Sequence, residues 1–214
     1  ILINAQDIND AGQIVGSGYI DGQSRAFLLT PEEKVWTLMF YLDGDNDLEA
    51  TYPPILNQLE LAADNPYVNV IVLWDGNEIG DSAYIEIQHD DDLNNSADYT
   101  EGENFWDQGE LDMDDPATLT NFVTWAMSNY PAPHYALFLS DHGSGLGGGL
   151  YDDASGGRHM SLDGMQQALR DTPTLVGDSI DVLYMDMCLL GMVDVAYEVR
   201  ADADSMVASG HLQR

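Results

Sequence analysis

One lysine, Lys34, and one cysteine, Cys188, are all that this 214-residue chain holds of either type. A single cysteine excludes an intrachain disulfide, so the thiol serves packing or reactivity and the fold does without staples. Basic residues are scarce altogether: six stand against 38 acidic ones, a formal net charge of −32. Such a field repels nucleic acid and anionic membrane surfaces, and it draws cations and basic peptides. The acids are spread over loops and helix faces, as on a solvated surface suited to high salt or to an extracellular setting. No uncharged apolar run reaches the roughly 18 residues of a membrane span, so membrane insertion is not expected. A basic segment leading into an apolar stretch is also missing, and Ile1 rather than methionine comes first. The expectation is that a targeting segment was removed earlier or that the chain is a piece of a longer protein. What is abundant is apolar content, 44%, enough for one substantial core.

Residues 1–33 differ from the rest. Short β-branched and aromatic runs alternate with the turn signals Asp10-Ala-Gly12 and Asp21-Gly22, the pattern of a β-meander. With Arg25-Ala26-Phe27 at its signature position, this stretch resembles one copy of the HAF-type extracellular β repeat. A lone copy cannot bury its own face, which implies an array continuing upstream.

From Lys34 the rhythm changes to strands alternating with helices. Val35–Leu42 and Tyr135–Leu139 are apolar runs, as in parallel strands buried on both faces, and Val68–Trp74 and Ile180–Met185 read as further strands. Tyr84–Gln88 alternates with period two, and Met206–Ala208 begins a further strand. Helices are expected over about 48–63 and 190–201, from an Asp115 cap followed by Pro116, and from a Ser161 cap. The helix after Pro116 carries Leu119, Phe122, Val123, Ala126 and Met127 as one apolar stripe. This order implies an α/β fold, a mostly parallel sheet with right-handed crossovers and ligands bound beyond the carboxyl ends of its strands.

His142 and Cys188 each follow such a strand. Just after His142, Gly143-Ser-Gly-Leu-Gly-Gly148 matches a dinucleotide-binding pattern. A phosphate cradle must open directly into a helix, whereas here Asp152, Asp153 and further turn residues follow. No G-x-S-x-G elbow is present for a serine hydrolase either. A histidine some tens of residues upstream of a lone cysteine is how caspase-type proteases arrange a dyad.

"YLDGDNDLE" (41–49), "SDHGSG" (140–145), "DDASGGRHMSLDGMQQAL" (152–169) and "MDMCLLGMVDVAYE" (185–198) resemble the signature stretches of clostripain-family cysteine peptidases, relatives of gingipains, legumains and caspases. The resemblance spans about residues 34–209. It implies a caspase–haemoglobinase-like sheet flanked by helices over 34–214, incomplete at its C-terminus because family domains run well beyond Arg214. It further implies secretion and cleavage of peptide bonds after Arg or Lys, with His142 and Cys188 as the catalytic pair and no required cofactor. Attack by a thiolate, with an imidazole relaying the proton, fits those residue types. The Gly143 and Cys188 backbone N–H groups are candidate oxyanion donors.

Asp186 stands two residues before Cys188, hence on the same strand face and about 7 Å away. A fixed negative charge beside a thiolate opposes it unless a substrate cation cancels the charge. The family's S1 acid also falls on this position, so Asp186 is expected to read a basic P1 side chain. Family members are often matured by a cut in the loop after the histidine. Arg158 is the one Lys or Arg between Lys34 and Arg170, which makes Arg158–His159 the expected self-cleavage bond. The acidic loops Asp43-Gly-Asp45-Asn-Asp47 and Asp90–Asp92 are candidate calcium ligands, although the first lacks the glycine an EF-hand loop has at its sixth position. The alternative to an endopeptidase is a catalytically silent, acidic extracellular binding module with the same fold.

Overall fold

The structure, a computed structural model, describes residues 2–9, 13–30, 34–91 and 104–212. The Asp10-Ala-Gly12 turn signal and Asp92 lie outside these residues. Two compact units divide the chain, Ile1–Glu33 and Lys34–Arg214.

In the first unit β1 (Leu2–Ile8), β2 (Ile14–Ile20) and β3 (Gln23–Leu29) pair antiparallel in the order β1-β2-β3. Asp21 and Gly22 alone link β2 to β3, at φ values of 50° and 76°. Positive φ at both central residues is the turn whose twist matches paired strands, and Asp-Gly tolerates it best. Ile8, Ile20 and Leu28 stay exposed on this small sheet.

The second unit is a seven-stranded sheet flanked by helices. Its strands are β4 (Trp36–Asp43), β5 (Val68–Asp75), β6 (Ser82–Glu86), β7 (Phe105–Gly109), β8 (His134–Ser140), β11 (Ile180–Asp186) and β12 (Ala203–Ala208). The order is β12-β11-β8-β4-β5-β6-β7. From β12 to β5 every pairing is parallel, while β6 runs antiparallel to both β5 and β7. A separate hairpin, β9 (Gly149–Asp152) with β10 (Arg158–Met160), follows the histidine loop.

Among the described residues, four α-helices cover the faces: α1 (Tyr52–Ala63), α2 (Pro116–Asn129), α3 (Leu162–Val176) and α4 (Val193–Val199). Met39, Tyr41, Leu137, Leu139, Leu183 and Met185 point to the layer built with α2, α3 and α4. Leu42, Val70 and Val72 point the other way, to Tyr52 and Leu56 of α1. Both faces are therefore buried, and each Leu or Phe removed from water contributes about 2 kcal/mol. Asp115 accepts from the Ala117 N–H at 2.8 Å ahead of Pro116, and the Ser161 hydroxyl accepts from the Gly164 N–H at 3.1 Å. Each cap satisfies one otherwise orphaned donor of its helix.

Several boundaries differ from the sequence expectation. α1 begins at Tyr52, after a 3-10 turn over Glu49–Thr51, because Pro53 and Pro54 suit a first helical turn and no later one. The strand expected at 84–88 lies at Ser82–Glu86, with Ser82 to Ile85 all buried, so the alternation seen in the sequence is not a split between core and solvent. The helix expected over 190–201 is shorter, Val193–Val199.

Candidate active site

β8 and β11 are adjacent, and their last residues, Ser140 and Asp186, pair in register. His142 and Cys188 each lie two residues further on, so the sheet delivers both to one lip. The Asp141 N–H donates to the Asp186 carbonyl at 3.4 Å and extends the ladder toward them. Gly143 then packs directly on the cysteine: a Cβ there would press on the Cys188 carbonyl oxygen and lie 2.8 Å from its nitrogen. Only glycine permits that approach. Immediately after the cysteine, Leu189 sits at φ 64°, a left-handed conformation costly for leucine. Neighbouring hydrogen bonds hold it, Leu189 N–H to the His211 carbonyl at 3.3 Å and Gly191 N–H to the Ser209 carbonyl at 2.7 Å.

His142, Cys188 and Asp186 line one cleft of about 570 Å³, walled opposite by Leu48, Tyr52 and Ile55 around the start of α1. The Tyr52 hydroxyl donates to the Ser140 carbonyl at 2.9 Å and fixes that wall to the end of β8. A smaller pocket of about 150 Å³ adjoins, sharing Ile55, Ser140 and Asp186 and lined besides by Phe40, Leu42, Phe138 and Tyr184. Phe40 and Phe138 stack at 4.3 Å, so its wall is rigid and aromatic. Asp186 stands where the two cavities meet.

His142 has a partner that sequence reasoning assigned elsewhere. Its Nε2 lies 2.8 Å from the Asp47 carboxylate, and that contact holds the Asp47 carboxyl below its ordinary range. The imidazole also meets Tyr151 edge-on at 6.2 Å, and Tyr151 in turn stacks on His159 at 4.8 Å.

Beside the cleft, aspartates converge out of reach of water. Asp45, Asp75 and Asp152 each bring an oxygen within 4.8 Å of the others. Asp43 and Asp75 are 0% exposed; both Asp43 oxygens and Asp75 Oδ2 have no hydrogen-bond partner among the described residues. Burial, reinforced by the charges of Asp141, Asp75 and Asp152, pushes Asp43 up to about 10. Burial likewise takes Asp75 to about 8 and Asp141 to about 7. Of the three calcium ligands expected in the first acidic loop, then, Asp45 lies in this cluster, Asp43 is buried in the field of its acids, and Asp47 faces His142 instead. Asp75 and Asp152 went unread because they are remote in sequence. The available signal was that Asp43 and Asp75 end adjacent parallel strands in register.

The expected cleavage bond does not lie in an open loop. Arg158 and His159 belong to β10, paired with Asp152 and Tyr151 of β9. The Arg158 guanidinium is clamped by Asp112 and, at 3.3 Å, by Asp114. No helix opens from the glycine loop, which makes a short 3-10 turn at Gly145–Gly147 and enters β9.

Comparison with known proteins agrees with this architecture. Residues 40–213 match the clostripain family, peptidase C11. The chain is 29% identical over 209 aligned residues to clostripain of Hathewaya histolytica, covering 81% of this chain and 38% of that protein. Its fold is similar to a secreted C11 cysteine protease from Bacteroides thetaiotaomicron, solved with an irreversible peptide inhibitor, at a TM-score of 0.64 and 22% identity. That match covers 83% of this chain and 49% of the other. An inactive zymogen C11 protease from Parabacteroides distasonis gives a TM-score of 0.61 at 21% identity, over 86% of this chain and 51% of its own. The chain thus spans about half or less of the length of these relatives. With its fold and the match over residues 40–213 in agreement, the chain belongs to the clostripain family.

Proposed function

We propose that the protein carrying this chain is a cysteine endopeptidase that cleaves after Arg or Lys. One observation carries the reading: the thiol and imidazole residues line one cleft, together with a carboxylate, Asp186. In this mechanism His142 takes the Cys188 proton as sulfur attacks the scissile carbonyl carbon. The Gly143 and Cys188 N–H groups stabilise the oxyanion. The bond to nitrogen then breaks, His142 returns the proton to the leaving amine, and water hydrolyses the thioester to free the thiol. An arginyl electrophile that labels Cys188 only when His142 is present tests this. A silent binding module would not react.

Self-cleavage after Arg158 is part of the same reading. The bond lies in a hairpin, so a cut requires β10 to leave β9 and Arg158 to leave Asp112 and Asp114. Mass spectrometry of active protein is expected to show two fragments, one ending at Arg158 and one beginning at His159, and a single intact chain in Arg158→Ala. An intact chain in fully active wild type contradicts self-cleavage and leaves the peptidase reading standing.

A divalent cation such as calcium suits the buried carboxylates, since hard oxygen donors with unfilled lone pairs are what it binds. Asp45, Asp75 and Asp152 would hold it, with the Asp43 charge adding to the field; it supplies structural cohesion between the β4, β5 and β9 ends. Without the ion, the raised carboxyls stabilise the fold fully below a pH of about 4, where the unfolded chain is also protonated. That stability is lost as pH rises through about 8 for Asp75 and about 10 for Asp43. Tm in chelator should therefore fall from pH 6 to 9. Calcium at about a hundred times its Kd should restore about 5–10 °C at the alkaline end. Asp75→Asn should remove the calcium response, and a Tm indifferent to calcium in wild type contradicts the site.

An extracellular location and an upstream array of β repeats complete the reading. The net charge of −32 and the apolar residues left exposed on the first unit's sheet support them. No helix among the described residues is long and apolar enough to cross a membrane.

A further inference from the structure

Resting on the peptidase reading, we propose that Asp47 is the positioning residue for His142. Its carboxylate holds the imidazole by Nε2 and leaves Nδ1 as the nitrogen that takes the Cys188 proton.

A contact between exposed side chains is weak ground by itself, and Asp47 is 84% exposed against 41% for His142. The support lies beneath it. The residues next to this pair, Asn46 and Asp141, are buried at 6% and 4% exposure. Asn46 Nδ2 donates to Asp141 Oδ1 at 2.9 Å and to the Tyr151 carbonyl at 2.8 Å. Asn46 Oδ1 accepts from the Leu48 N–H at 2.9 Å, and its carbonyl accepts from Asn77 Nδ2 at 3.0 Å. A single buried amide, on the residue before Asp47, therefore ties that loop to the side chain of the residue before His142 and to the Tyr151 backbone. The short Asp47 side chain has few rotamers with which to stray from the ring.

The chemistry follows from the tautomer. An ionised Asp47 accepts only, so a neutral imidazole beside it carries its proton on Nε2 and presents a lone pair at Nδ1. In the forward step the thiol proton goes to Nδ1, sulfur bonds the carbonyl carbon, and the carboxylate faces the imidazolium just formed. The proton leaves from Nδ1 to the departing amine. Asp47 itself exchanges no proton, and it is not among the residues lining the cleft.

The test uses the intact protein and a peptidyl-arginine substrate. Asp47→Ala should lower kcat about tenfold with KM unchanged, the modest end of what misplacement costs because the pair is open to water. Asp47→Asn keeps an acceptor oxygen and should recover most of kcat, while Tm stays within about 1 °C in both variants because Asp47 is exposed. The proposal is overturned if Asp47→Ala keeps kcat within twofold while His142→Ala is inactive. It is equally overturned if the asparagine variant recovers nothing. Should His142→Ala and Cys188→Ala both turn over normally, the peptidase reading fails with it, a result told apart from the first two by those controls.

Discussion

Asp186→Ala is expected to lower kcat/KM for arginyl and lysyl substrates by about 10²–10³-fold and to leave slow cleavage after neutral residues unchanged or faster. A desolvated, hydrogen-bonded ion pair lost from one side costs about 2–5 kcal/mol, which sets that range. The position fits the role. Asp186 lies at the last register pair of β11, between the cleft lined by His142 and Cys188 and the pocket lined by Phe40, Leu42, Phe138 and Tyr184. That apolar pocket suits the aliphatic stem of Arg or Lys, with the carboxylate left for the cationic head. Arg forks onto a carboxylate and stacks on aromatic faces, while Lys meets it as a point charge. Removing the charge also removes a carboxylate from beside Cys188, hence the neutral-substrate control. Steady-state kinetics with matched peptides differing only at P1 decide it. Retained preference for Arg and Lys in Asp186→Ala contradicts the assignment.

Much of this site is legible in the sequence because the sheet does the positioning. β4, β5, β8 and β11 are largely buried, so each reads as a mostly apolar run, and the residues just past each run fall at one sheet edge. His142 and Cys188 follow from that rule, as the helix caps at Asp115 and Ser161 follow from theirs. β7, β9 and β10 are not legible. They are three to five residues long, and β9 and β10 border a stretch of glycines and aspartates whose local signal is a turn. The Arg158–Asp112 and Arg158–Asp114 pairs are contacts across more than forty residues that no local pattern encodes. The aspartate cluster escapes for the same reason, since Asp45, Asp75 and Asp152 meet only once β4, β5 and the hairpin are assembled. Asp47 is the instructive case. Spacing in "DGDND" groups it with Asp43 and Asp45, but Asp43 ends a buried strand, Asp45 turns inward to the Ala154 N–H at 2.9 Å, and Asp47 faces out to the histidine.

The central claim, that Cys188 and His142 form one chemical unit, is tested most directly by covalent labelling. Wild-type protein, His142→Ala and Cys188→Ala are treated with an arginyl chloromethyl ketone, and the modified peptide is read by mass spectrometry. Iodoacetamide run in parallel reports whether the thiol can be reached at all. The account predicts stoichiometric modification of Cys188 in wild type and loss of at least about 10³ in labelling rate in His142→Ala. Iodoacetamide should still reach the thiol in that variant. Equal arginyl labelling with and without His142, or a wild-type Cys188 that iodoacetamide modifies and the arginyl reagent does not, contradicts it.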